Sequence, residues 1–278
     1  MSSIVSWTRR HRLVVFVGLA FAVSWWVWPF YALGIAPTPF FACGPLVAAL
    51  VVIGVTEGWS GYRTLGARML HWRVGWLWWA VAIGTPLAVL AVAAAANVAL
   101  WGAPAPVLAD VAWSGLAAAL ALRFVNPLDG PLGEEPGWRA HAIPQLQVGR
   151  TPLAAGLVLA PIVAVWHLPL IAAGQLAPIG LVVTFAITLV YVWLFNRTGG
   201  SGLMTLVFHV VQGVSYAALG FTGLDAARMD WLTGGLWCVV AVAVILLDRR
   251  AWRAAPPSAV ADPVDASPQR VQAERVAP

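Results

Sequence analysis

Two adjacent glutamates, Glu134 and Glu135, are followed four residues later by Arg139 in a stretch of chain that is otherwise poor in charge. Two histidines, His167 and His209, interrupt the apolar runs further on. These residue types carry acid–base chemistry: a carboxylate takes a proton from water, and an imidazole orients that water, stabilises a developing oxyanion or ligates zinc. At membrane depth an ionisable group costs about 2.5–3.5 kcal/mol on insertion scales, so its presence there points to function. Plainer readings stand beside this one. The glutamates could open a solvated helix, with Pro136 in the first turn and the acids favoured by the helix dipole. Either histidine could be a satisfied interior residue.

Helical geometry separates the two carboxylates. Adjacent residues point about 100° apart, so Glu134 and Glu135 cannot address one point. Glu135 and Arg139 have the i,i+4 spacing of an ion pair, which assigns them to structure and leaves Glu134 for chemistry. Arg150 marks a hairpin, with Glu134 sixteen residues before it and His167 seventeen after it. At 1.5 Å per residue both lie about 25 Å along antiparallel neighbours, and His209 lies about 18 Å beyond Arg197, so the three can converge.

The elements that must position these groups are membrane helices. The 278 residues are 61% apolar and only 10% charged, against about 25% charged in soluble domains. Apolar runs occur at Leu13 to Leu33 and near 38–55, 75–100, 152–173, 179–195, 201–221 and 230–247, with another inside 111–147. About 20 apolar residues cross a ~30 Å hydrocarbon core, so the expected fold is all-α, a polytopic membrane bundle of about eight transmembrane helices around a polar cavity. One straight helix over 111–147 would exceed ~50 Å, and the Asn126-Pro127 and Gly130-Pro131 dipeptides are expected to break it. Arg123, just before the break, is expected to snorkel or to pair with Asp129, and no catalytic role is assigned to it.

All 16 basic residues are arginine, and with 11 acids they give a net charge of +5. Their positions carry the information. Arg9, Arg10, Arg12, Arg63, Arg68, Arg73, Arg150, Arg197, Arg249, Arg250 and Arg253 fall on one side of the alternating spans, and Arg228 alone falls in the opposite loops. The positive-inside rule then places both termini in the cytoplasm of a multi-pass cell-membrane protein. The basic balance is topological and implies no nucleic-acid partner. Cys43 and Cys238, both inside apolar runs, offer neither a disulfide framework nor a CxxC site. Residues 1–253 are read as an integral membrane domain. Residues 254–278, rich in Pro, Ala and small polar residues, are read as a disordered cytoplasmic tail.

Taken in order, GEEPGWR at 133–139, AVWHLPL at 164–170 and FHVVQG at 208–213 resemble the CPBP family of intramembrane proteases, named for CAAX prenyl proteases and bacteriocin processing. The family pattern is EExxxR, then FxxxH, then HxxxN or a related third motif, and the resemblance spans residues 110–222. It implies an intramembrane endopeptidase acting on a membrane-associated peptide or protein, with Glu134 as general base on water, His167 assisting and His209 on the oxyanion or metal side. Glu134, Glu135, Arg139, His167 and His209 are the site residues it carries over. Family members are called metalloproteases, yet HExxH is absent, and zinc or a metal-free glutamate mechanism fits the residues equally. The all-arginine, alanine-rich usage points to a high-GC bacterial source and a substrate other than prenylated CAAX proteins.

Two positions depart from the pattern. Val163 stands where FxxxH has phenylalanine, a packing change, and Gly213 stands where the third motif has asparagine. The missing amide motivates the alternative reading, a non-catalytic membrane binding or bacteriocin self-immunity protein of the same family. A transporter is disfavoured by the absence of internal repeats. If the protein is a protease, His209 is the expected surviving donor or metal ligand, and Gln212 is secondary because it sits about 100° around the helix. Restoring the family residue with Gly213→Asn is then expected to maintain or raise activity.

Overall fold

The computed structural model describes residues 3–107, 109, 111–217 and 219–253. The 254–278 tail lies outside the described residues. Among those described, every regular element is helical, in agreement with the all-α expectation. The chain runs through α1 (Ser3–Arg10), α2 (Arg12–Trp25), α3 (Trp28–Ala32), α4 (Gly44–Thr56), α5 (Trp59–Met69) and α6 (Trp76–Trp101). Then come α7 (Trp113–Val125), α8 (Pro131–Glu135), a π-helical segment (Pro136–Ala142) and α9 (Ile143–Gln147). It ends with α10 (Pro152–Trp166), α11 (Leu168–Ala172), α12 (Gly180–Arg197), α13 (Gly202–Ala217), α14 (Gly223–Leu247) and α15 (Arg249–Arg253).

Five stretches are long and apolar enough to cross a bilayer: 12–32, 76–101, 152–172, 180–197 and 223–247. Three shorter apolar helices lie over 44–56, 113–125 and 202–214. A helix that is apolar all round must be either buried or lipid-facing, and the bundle contains both kinds. In α12, 61% of the spanning window is buried, so this helix is central; in α14 only 17% is buried, so most of its Val and Leu side chains face outward.

The predicted break at 126–131 is present. Asn126 leaves α7 in an extended conformation and its Oδ1 accepts from the Leu128 N–H. Gly130 turns the chain at φ 59°, and Pro131 opens α8. The carboxylate helix therefore starts afresh and runs as α8, π segment and α9 without a gap, from 131 to 147.

Its prolines explain the irregular middle. Pro144 lacks the N–H that an α-ladder would bring to the Ala140 carbonyl. Arg68, reaching in from α5, donates to that carbonyl through Nη1 at 2.8 Å. Glycines set its depth in the bundle. A Cβ at Gly133 would meet the Ala42 carbonyl carbon at 2.9 Å, and one at Gly137 would meet Pro45 Cβ at 2.5 Å. The pair forms a GxxxG spacing that lets backbones approach closely, here against α4 and the turn before it.

Neighbouring helices are anchored by caps. Thr151 Oγ1 accepts from the Ala154 N–H and Pro152 fills the first turn of α10. Ser201 Oγ accepts from the Met204 N–H at the start of α13 and donates to the His71 carbonyl at 2.6 Å. Between these elements lies a core that includes the fully buried Phe16, Trp138, Trp166, Tyr191 and Phe208.

Candidate active site

A cavity of about 540 Å³ opens among α6, α8, α10, α12, α13 and α14, and Glu134, Arg139, His167 and His209 all stand on its wall. Glu135 lies behind His209 with no exposed surface.

Each group is held by a local device. Pro169 cannot continue α10, because its ring would clash with the preceding turn. The helix ends at Trp166, and the His167 N–H bonds to the Ala164 carbonyl instead of reaching back four residues to Val163. The Val163 carbonyl so released accepts a 2.8 Å hydrogen bond from His167 Nδ1. An N–H must sit on the nitrogen that faces a carbonyl, so neutral His167 carries Nε2 as an acceptor. The ring is further fixed by edge-on packing against Trp166 at 4.9 Å, and Trp25 Nε1 donates to the Trp166 carbonyl.

His209 is held by Glu135. Its Nδ1 donates to Glu135 Oε1 at 2.8 Å, which fixes the tautomer and ring plane. The second Glu135 oxygen lies 3.5 Å from Arg139 Nε, the i,i+4 pair expected from the spacing. Arg139 is itself buried, and its guanidinium carbon lies 4.2 Å over the Tyr191 ring. Glu135 and Arg139 thus form a buried charged frame for His209. Reading the spacing alone found the ion pair and missed the histidine that completes it.

Glu134 is nearly buried, and a Cβ at Gly130 would lie 3.6 Å from its Oε1. Gln212 also lines the cavity, together with Gly213. Although they point about 100° apart on the regular α13, the cavity wraps far enough around the helix to meet both residues.

Arg123, to which the sequence assigned no catalytic role, belongs to this cavity as well. It makes the expected ion pair with Asp129, Nη2 to Oδ1 at 3.3 Å, but it also stands on the cavity wall. Its guanidinium lies against Gly213, where an added Cβ would come within 2.9 Å of the guanidinium carbon and closer still to Nη1. The space an asparagine side chain would need is filled by arginine. Any side chain at 213 must displace Arg123, which argues against the expectation that Gly213→Asn maintains or raises activity.

Among the described residues, no group of three or more His, Cys, Asp or Glu side chains is arranged to hold one metal ion. Both histidines spend Nδ1 on protein acceptors, leaving one ring nitrogen each for the cavity. A comparison with curated proteins gives no match. Residues 112–215, the stretch that carries Arg123, Glu134, His167, His209 and Gly213, match the family described as Type II CAAX prenyl endopeptidase Rce1-like.

Proposed function

We propose that the protein is an intramembrane endopeptidase that cleaves a membrane-associated peptide or protein, with Glu134 as the general base. The observation that carries this reading is the convergence of Glu134 from α8, His167 from the turn between α10 and α11, and His209 from α13 on one cavity inside an apolar bundle. The match to a CAAX endopeptidase family over the same residues supports it.

The chemistry follows from the groups present. Water sits between the Glu134 carboxylate, which accepts its proton, and His167 Nε2, which accepts its second hydrogen and orients it. The water oxygen bonds to the scissile carbonyl carbon as the π pair moves onto the carbonyl oxygen. Collapse of that oxyanion breaks the C–N bond, and the proton held by Glu134 passes to the departing nitrogen. His209, kept in position by Glu135, flanks the carbonyl. Every step uses protein groups, and the proposal is a metal-free glutamate mechanism.

The test is cleavage of a pooled set of quenched-fluorescent apolar peptides, one member farnesylated at a CAAX cysteine, by purified protein in liposomes. A positioned general base contributes about 10²–10⁴-fold. Glu134→Gln is expected to lose that factor with its thermal unfolding unchanged, and activity should survive dialysis against a chelator. Full activity in Glu134→Gln overturns the assignment of the base, and loss on chelation overturns the metal-free mechanism.

A further inference from the structure

We infer that Arg123 is the oxyanion donor of this site, occupying by guanidinium the place that an asparagine at 213 would occupy by amide. The inference rests on the protease reading above. Three observations carry it.

The first is steric reciprocity. Gly213 lies one turn beyond His209 on α13, and the nearest atoms to its missing side chain all belong to the Arg123 guanidinium. A residue from α7 has taken the volume vacated on α13, and it has done so with a group that donates hydrogen bonds and carries a permanent charge. The second is placement. The Cβ position of Gly130 lies 3.3 Å from Arg123 Nη2 and 3.6 Å from Glu134 Oε1. The cation and the proposed base therefore face one small volume at the cavity wall, close enough to serve a single carbonyl. Asp129 holds Nη2, so the guanidinium is anchored at one end with Nη1 directed over Gly213. Arg123 Nε is buried and makes no hydrogen bond among the described residues, so the packing of α7 against α13 holds this cation without saturating it.

The third is the state of His209. Its Nδ1 is committed to Glu135, so Nε2 is the one ring nitrogen it can turn toward the cavity. Arginine needs no protonation step to donate. His209, expected from sequence to be the principal donor, is better placed to position the carbonyl, and Arg123 to meet the charge that develops on it.

The proposal separates from the protease reading experimentally. The same peptide pool in liposomes is cleaved by wild type, Glu134→Gln, Arg123→Ala, Arg123→Lys, Gly213→Ala, Gly213→Asn and the double variant Arg123→Ala/Gly213→Asn. Removing one oxyanion donor typically costs about 10²–10³-fold in kcat, so Arg123→Ala should lose that factor in kcat with KM nearly unchanged. Arg123→Lys keeps charge but not the fork and should fall between. Gly213→Ala and Gly213→Asn, which displace the guanidinium without altering it, should each lose at least tenfold. The double variant, with room restored for the amide, should recover at least tenfold over Arg123→Ala, a rescue that a purely structural arginine would not give. Binding adds a readout independent of turnover: a phosphinate analogue of the best-cleaved peptide, which presents the oxyanion, should lose affinity in Arg123→Ala by the same factor as kcat, while the parent peptide should not.

Cleavage that needs Glu134 but proceeds at wild-type kcat in Arg123→Ala overturns the oxyanion role and leaves the protease standing. So does a loss confined to KM. Absence of Glu134-dependent cleavage by wild type overturns both.

Discussion

Gly137→Ala is a one-methyl perturbation whose cost can be worked from the packing of the π segment on α4. The added Cβ would lie 2.5 Å from Pro45 Cβ and at comparably short range from the Pro45 carbonyl. Ordinary carbon–carbon contact is about 3.5–4.0 Å, so the two backbones must part by about 1 Å. Neither side can yield by a rotamer change, because the obstacle is backbone and a proline ring. Overpacking of this kind costs about 1–3 kcal/mol, and the helix-propensity gain of Ala over Gly, about 1 kcal/mol, offsets only part of it.

The functional effect should be larger than the stability effect. Glu134 lies three residues before Gly137 on the same continuous helix, so a shift of about 1 Å there moves the carboxylate relative to His167, and misplacement on that scale can cost about 10²-fold in rate. The assay is thermal unfolding in detergent together with liposome cleavage, with Gly235→Ala as the comparison. At Gly235 an added Cβ meets nothing within 4 Å, so that variant should be neutral or slightly stabilised. Gly137→Ala matching Gly235→Ala in both measurements would refute the argument that glycine is required for backbone approach.

Glu135→Gln leaves Arg139 buried beside a neutral amide and removes the acceptor that fixes His209, and breaking a buried pair from one side costs about 3–5 kcal/mol; the variant should unfold markedly earlier than Glu134→Gln in a thermal scan, and equal midpoints would contradict the frame role. For topology, single cysteines at Ser60 and Leu224, both exposed, in a background lacking Cys43 and Cys238, should react with a membrane-impermeant maleimide from the cytoplasmic and the external side respectively. Labelling of both from one side would refute the arrangement read from arginine positions.

The class of fold was legible because bilayer crossing demands long apolar runs, and these are conspicuous in the sequence. The break between α7 and α8 was legible for a similar reason: Asn-Pro and Gly-Pro dipeptides act locally on backbone dihedrals. The convergence of Glu134 and His167 could be approximated by counting from the hairpin at Arg150, since both arms are largely helical even though the first contains the π segment. The depth of the carboxylate helix was not countable, yet Gly133 and Gly137 held a signal for it, a GxxxG spacing inside the same seven residues that were read for their charges. What lay beyond reach was any relation between residues far apart in sequence without a periodic link. Glu135 and His209 are 74 positions apart, and spacing assigned Glu135 only to Arg139. Arg123 was correctly paired with Asp129, but nothing local states that α7 packs on α13.

That last relation changes how the departure at 213 is weighed. Judged position by position, glycine in place of an asparagine is a lost donor and an argument for a protein that no longer cleaves. Judged in three dimensions, the glycine is what admits Arg123, because every nearest atom to its absent side chain is a guanidinium atom. An arginine on the wall of a cavity in an apolar bundle is held there by anionic partners, here Asp129 and the nearby Glu134 carboxylate. Asp129, its side chain 43% exposed, holds Nη2 and so anchors the guanidinium at one end, while Nη1 lies over Gly213 on the cavity wall. The same substitution that weakens the third motif on paper thus accompanies a stronger donor on a neighbouring helix, and the loss and the gain have to be assessed as one change.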